Sequence, residues 1–197
     1  MAVNVANAFV GAPPIDGGVF YSAPLGTKLP TTALEKLNTA FVDHGAVSEN
    51  GFSVKPTRNS TTEKMFGGGD FIALQTDYGV DIEITFMEDD NDAVIKTAFG
   101  DASVVEKAAT SNTGKQRTIY YTDEPLPVKS YVLKAISGAK SKTYVAERAQ
   151  VISVEKTPDV HNATTKTTVK LKAYKSTAAE LRGAYVVELR DDGVHSG

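Results

Sequence analysis

Residues 80–87 read Val80-Asp81-Ile82-Glu83-Ile84-Thr85-Phe86-Met87. Apolar side chains at 80, 82, 84 and 86 alternate with Asp81, Glu83, Thr85 and Met87. Successive side chains of a strand point to opposite faces, so the octet predicts a β-strand with one buried and one polar face. The same pattern returns at Val169, Leu171 and Ala173 against Lys170 and Lys172. Strands are further expected over 19–22, 103–107, 116–122, 128–137, 143–155, 165–175 and 184–190. Turn residues separate them at 111–114, 125–127, Gly138 and 157–158. Short strands at this spacing predict a sandwich or barrel. No repeat of 20–50 residues is visible, which argues against a solenoid or propeller.

Upstream of the octet, Pro56 to Asp70 read PTRNSTTEKMFGGGD. This is a long polar connection where about 4–6 residues is typical. Its far end, Gly67, Gly68 and Gly69, is read as a hinge or a close backbone approach. Before it, Glu49-Asn50-Gly51 signals a tight turn between two short strands. Thr32 and Glu35 form a capping box, Leu34, Leu37 and Phe41 follow at helical spacing, and Gly45 supplies a stop. A helix is therefore expected over 32–43. A second, short helix is expected over about 91–99. Acidic residues from the run Glu88 to Asp92 open its first turn, Val94, Ile95 and Ala98 form its buried stripe, and Gly100 ends it.

Residues 1–30 are rich in Gly and Pro, which argues against a helix or a central strand there. The arm carries Val3, Val5, Phe9, Val10 and Ile15, apolar residues suited to docking on something. The expected organisation is an extended arm over 1–16, one domain over 17–191 containing the loop 56–70, and a flexible tail over 192–197. The fold class is mainly β, sandwich- or barrel-like, with one flanking α-helix and a second short helix.

The 197 residues are 41% hydrophobic and 23% charged, with a formal net charge of -3. That is an ordinary globular composition, and it excludes a globally basic surface for gripping nucleic acid. There is no Cys, so disulfides, thiolate zinc sites and a cysteine nucleophile are excluded. No apolar run has the roughly 18 residues of a membrane helix, and no signal peptide is read. Folding in a cytoplasm is expected.

Motifs for chemistry fail on inspection. The triglycine lacks the strand before it and the helix after it that a phosphate cradle needs. Gly114-Lys115 is followed by Gln116, not Ser or Thr, and position 109 is Ala, so it is not a phosphate-binding loop. Counting from Asp89, the glycine required at the sixth position of a calcium loop is Val94. His44, His161 and His195 lie far apart, with His44 expected in the last turn of the first helix. The sequons Asn59-Ser60-Thr61 and Asn162-Ala163-Thr164 come without a secretion signal. No catalytic residue, cofactor or metal is expected. An apolar arm, a long polar loop and an acidic strand face point to contact with other copies or other proteins.

The stretch GGVFYSAPLGTKLPTTALEKLNTAFVDHGAVSENGFS (17–53), the polar loop and DFIALQTDYGVDIEITFMEDDNDAVIKTAFG (70–100) resemble major tail proteins. These are the tail tube subunits of long-tailed phages with non-contractile tails, and the likeness is strongest to phages of actinobacteria. It covers residues 17–100, about half the chain. The resemblance implies a β-sandwich flanked by a helix, and hexameric rings stacked into a tube that conducts double-stranded DNA without sequence-specific binding. It also implies a tape-measure protein inside the tube, a tail-tip or baseplate initiator and a tail terminator as partners. The place is then the virion, after assembly in the host cytoplasm, with no membrane involved. By position, the loop that locks rings together is Arg58, Asn59, Thr62, Glu63, Lys64, Met65, Phe66, Gly67, Gly68 and Gly69. The docking arm is Val3, Val5, Phe9 and Val10. An acidic lining repels DNA, so Asp81 and Glu83 are candidates for the channel wall; an outer or inter-subunit surface is the other reading of that face. The alternatives are another β-rich virion protein, a tail terminator or capsid decoration protein, and a monomeric carbohydrate-binding module, for which Tyr120 and Tyr121 are the exposed aromatics to check.

Overall fold

A computed structural model describes residues 3–15 and 17–194. Ala2, at the start of the arm, and His195, in the tail, lie outside the described residues. In chain order the strands are β1 (Phe20–Ala23), β2 (Val42–Asp43), β3 (Val47–Lys64), β4 (Asp70–Phe86), β5 (Val104–Lys107), β6 (Gln116–Ile119), β7 (Lys129–Ser137), β8 (Lys140–Lys156), β9 (Thr167–Ala173) and β10 (Val187–Asp191). One α-helix, α1 (Asp92–Phe99), follows β4. The fold is mainly β, as the alternating octet predicts.

The main sheet is antiparallel, in the order β2-β1-β7-β8-β9-β4-β3. β10 takes the edge of β8 ahead of β9, over residues 141–145. β5 and β6 form a separate pair. The sheet curls on itself: Phe20 of β1 and Phe86 of β4, with three strands between them in the order, have ring centroids 5.2 Å apart. Val80, Ile82, Ile84 and Phe86 are all buried in the core this creates. They pack with Leu133 of β7, Ala149 and Val151 of β8, Val169 and Leu171 of β9, and Val94 and Ala98 of α1. Each large side chain buried this way contributes about 1.5–3 kcal/mol.

α1 forms where the sequence predicts a second, short helix. Asn91 Oδ1 accepts from Ala93 N at 2.9 Å, and Gly100 ends the helix at φ 88°. The acidic run before it is tied to its surroundings: Glu88 accepts from Ala46 N, Asp89 pairs with Lys156, and Asp92 pairs with Lys115 and Arg117.

Four expectations are corrected. Residues 32–43 are not a helix: isolated turns lead into extended chain and then β2. Leu34, counted in the helical stripe, faces solvent, while Leu37 and Phe41 lie against the second face of β1, β7 and β8, with Val132, Val145 and Leu189, and Ala33 is buried beside Thr143. Exposed and inward positions alternate from Ala33 to Leu37, as in extended chain. Cross-sheet bonds hold it there. Ala33 O accepts from Thr143 Oγ1 at 2.9 Å, and Glu35 O accepts from Lys134 Nζ at 3.2 Å. Tertiary burial of a sheet face has overridden local helix preference. The Glu35 carboxylate still reaches back, to Thr31 N and Oγ1, and those bonds hold its pKa down to about 2.

Glu49-Asn50-Gly51 is not a turn between two strands. β3 runs through it, and five steps from Val47 to Phe52 match two from Phe86 to Ile84, with Gly51 at φ 63° taking up the excess. Residues 56–70 are not a loop either. Thr57 to Lys64 continue β3 and pair with β4 from Gly79 to Asp70. Strand β6 also stops at Ile119, short of the expected residue 122.

Candidate assembly surface

The base of the β3–β4 hairpin belongs to the core, but every residue from 55 to 77 is exposed. Ten residues of strand beyond Val80 project roughly 33 Å. Local contacts make this ribbon continuous. Arg58 lies over the Tyr78 ring at 4.5 Å, and its Nη1 donates to Gln75 Oε1 at 2.9 Å, clamping the two strands. Register shifts follow Asn59 and Glu63. At the tip, Met65 N donates to Gly69 O at 2.7 Å, and Gly67 and Gly68 sit at φ 98° and 92°. The triglycine is thus the turn of a hairpin, where left-handed backbone demands Gly, rather than a hinge.

The structure places Arg58, Asn59, Thr62, Glu63 and Lys64 on β3 and brings Met65 and Phe66 to the tip. It also exposes Phe71, Ile72 and Leu74 on the returning strand. Sequence reasoning missed these three. Residues 71–74 read Phe-Ile-Ala-Leu, an apolar run with no in-out alternation to mark a face. Above the core, both edges of the ribbon lack a neighbouring strand among the described residues: the sheet ends at β3, and β9 reaches β4 only from Val80 to Phe86. Open strand edges carrying exposed apolar side chains are templates for pairing with another chain.

The N-terminal arm divides in two. Phe9 rests on Lys142, whose Nζ lies 4.0 Å from the ring centroid. Val10 N donates to Ser137 Oγ, Lys140 Nζ donates to Ala6 O, and Ala12 bridges to Ile136. This portion docks on the β7–β8 hairpin of its own chain. Val3, Val5 and Val10 remain exposed.

Asp81 and Glu83 do point away from the core, on one sheet face, but that face is not acidic. In register across β3, β4, β9 and β8 stand Lys55, Asp81, Lys172 and Gln150, and in the next row Ser53, Glu83, Lys170 and Ser153. Lys55 Nζ lies 2.8 Å from Glu83 Oε2 and Lys170 Nζ 3.2 Å from Asp81 Oδ2. The Lys55 ammonium, hydrogen-bonded to Glu83, holds that carboxyl below its ordinary range. Thr85 and Thr168 share a hydrogen bond of 2.8 Å one row further on.

Among the histidines, His44 is in the core rather than at a helix end, and His161 is exposed in a turn. No group of three acidic, His or Cys residues placed to hold a metal occurs among the described residues. Tyr120 and Tyr121 follow β6 instead of lining a sheet face, and Tyr121 packs on Phe99 at 4.7 Å.

No protein-family model and no curated protein matches this chain. Solved structures similar over most of its length include two tube-related chains. One is from the sheath–tube complex of an extracellular contractile injection system (PVC) in its extended state, at 10% identity and TM-score 0.39, covering 93% of this chain and 94% of that one. The other is from the sheath/tube terminator of the same kind of system, at 10% identity and TM-score 0.41, covering 92% and 99%. Likenesses of this size assign the chain to no family.

Proposed function

We propose that this chain is a structural subunit that polymerises with copies of itself, and that the polymer is the tail tube of a long-tailed phage: hexameric rings stacked around a channel for double-stranded DNA. The observation that carries the reading is the projecting β3–β4 hairpin, which sets Met65, Phe66, Phe71, Ile72 and Leu74 in solvent between two unpaired strand edges. An isolated two-stranded ribbon is marginal in water. Its apolar residues and free backbone groups gain partners only when another copy covers them. The resemblance of residues 17–100 to tail tube subunits supplies the kind of polymer. On this reading Val3, Val5 and Val10 reach a neighbouring subunit, and the face of Asp81 and Glu83 borders the channel. The partners are the tape-measure protein, an initiator at the tail tip and a terminator. The site is the virion, and the role is mechanical, with no catalysis and no cofactor.

The test is negative-stain electron microscopy of the full chain across concentration and salt, beside a variant in which residues 60–76 are replaced by Asn-Gly. That replacement removes both arms of the ribbon and keeps the pair Asn59–Asp77. Removing only one arm leaves the other without its partner. The expected result is tubes of uniform diameter from the full chain and a folded, non-polymerising variant. A variant that still forms tubes sinks the role given to the hairpin. Closed rings that never stack point instead to a terminator.

A further inference from the structure

The polar face of β3, β4 and β9 holds three lysines around two carboxylates in a checkerboard. Lys55 and Lys172 flank Asp81 across the strands, Lys170 flanks Glu83, and the close contacts run on the diagonals, Lys55 to Glu83 and Lys170 to Asp81. Neighbouring strands lie about 4.8 Å apart and alternate residues about 6.7 Å, so all five charges sit within one small patch. Without the two carboxylates the patch is a cluster of three ammonium groups on one polar sheet face. Such a cluster holds phosphates and releases their counterions.

We propose that Asp81 and Glu83 mask a latent duplex-DNA-binding face, holding Lys55 and Lys170 in ion pairs so that passing phosphates meet two of its three ammonium groups already engaged. The device differs from an acidic lining, which acts by repulsion at a distance and is screened beyond roughly 8 Å at physiological salt. Contact pairs act at the surface itself, where a duplex that brushes the wall meets Lys55 and Lys170 already engaged. Its relevance to DNA passage rests on the tail tube reading; the masking itself does not.

The experiment titrates a fluorescent DNA duplex with unassembled full chain and follows anisotropy. Wild type is compared with Asp81→Asn/Glu83→Gln and with that variant carrying Lys55→Gln, Lys170→Gln and Lys172→Gln in addition. The single variant Glu83→Gln serves if the double variant does not fold, as judged by circular dichroism. The expected result is tighter binding by the carboxylate variant than by wild type, by at least 10-fold at low salt. Engagement of two or three phosphates makes that affinity fall roughly 10- to 40-fold between about 50 and 200 mM salt. Loss of the gain in the lysine-less variant places it on this face. A folded carboxylate variant that binds no better than wild type overturns the proposal, as does a gain that survives removal of the lysines. Tube formation, scored separately by microscopy, reports on the polymer and leaves this result unaffected.

Discussion

Lowering the pH should loosen this protein through one buried residue, His44. Its ring is fully buried, 4.9 Å from Phe20 in an edge contact and 5.6 Å from Phe86 in a stack. Nδ1 donates to Val42 O at 3.1 Å, which leaves Nε2 to accept from Thr97 Oγ1 at 2.7 Å. The neutral tautomer thus satisfies both ring nitrogens and ties β2 to α1. Protonation puts a second N–H against Thr97, whose hydroxyl must turn, and leaves a charge in an apolar core. Desolvation dominates and pulls the pKa down from 6.5 to about 4, with Lys129 adding slightly and Asp43 and the two carbonyls opposing. The unfolded chain therefore binds the proton first. The contribution of neutral His44 is fully present above pH 6.5 and is lost as pH falls from 6.5 to about 4, below which this group adds no further change. Two and a half pKa steps correspond to about 3 kcal/mol, a large share of a typical domain's stability. Trp is absent, so urea unfolding is best followed by circular dichroism and Tyr fluorescence at a series of pH values, for wild type and His44→Gln. Carboxylates titrate in both proteins and cancel in the difference. The stability advantage of wild type should shrink by about 3 kcal/mol from pH 7 to pH 4. A difference that stays flat across that range refutes the assignment.

Phe66→Ser with Phe71→Ser should leave the unfolding midpoint within the scatter of surface substitutions, about 0.5 kcal/mol, and still reduce self-association in sedimentation velocity. Ile82→Ala, in the fully buried stripe of β4, should destabilise by about 2–5 kcal/mol in urea. Asn91→Ala removes the N-cap of α1 and the bond from Asn91 Nδ2 to Glu88, and should cost about 1–2 kcal/mol, read as a lower thermal midpoint.

The parts of the fold that were legible early share one property: a local pattern with no competing use for its residues. The octet at 80–87, the strand around 169–173 and the helix at 92–99 are of this kind, because each buries one face and turns polar residues outward. Thr32 to Phe41 fails the same reading for a physical reason. Its apolar spacing suits a helix, but the second face of β1, β7 and β8 offers burial for Ala33, Leu37 and Phe41 only if the chain runs extended, and Thr143 and Lys134 take its carbonyls. The β3 arm of the hairpin reads as a loop in the sequence because it buries nothing in the single chain. Polar residues on both faces erase the alternation that marks a strand, and two register shifts break the phase.

Local chemistry along the chain was enough to establish a β-rich domain without cysteine chemistry, with a strand whose one face is buried and a short helix stopped by Gly100. Periodicity and capping are short-range, so neighbouring residues alone carry them. Only the tertiary structure decided that residues 55–77 stand clear of the core as a ribbon, that His44 bridges β2 and α1, and that Asp81 and Glu83 are paired with Lys170 and Lys55. Each depends on which strand lies beside which. That order is a property of long-range pairing, in which Lys55 and Glu83 are 28 residues apart along the chain and 2.8 Å apart in space.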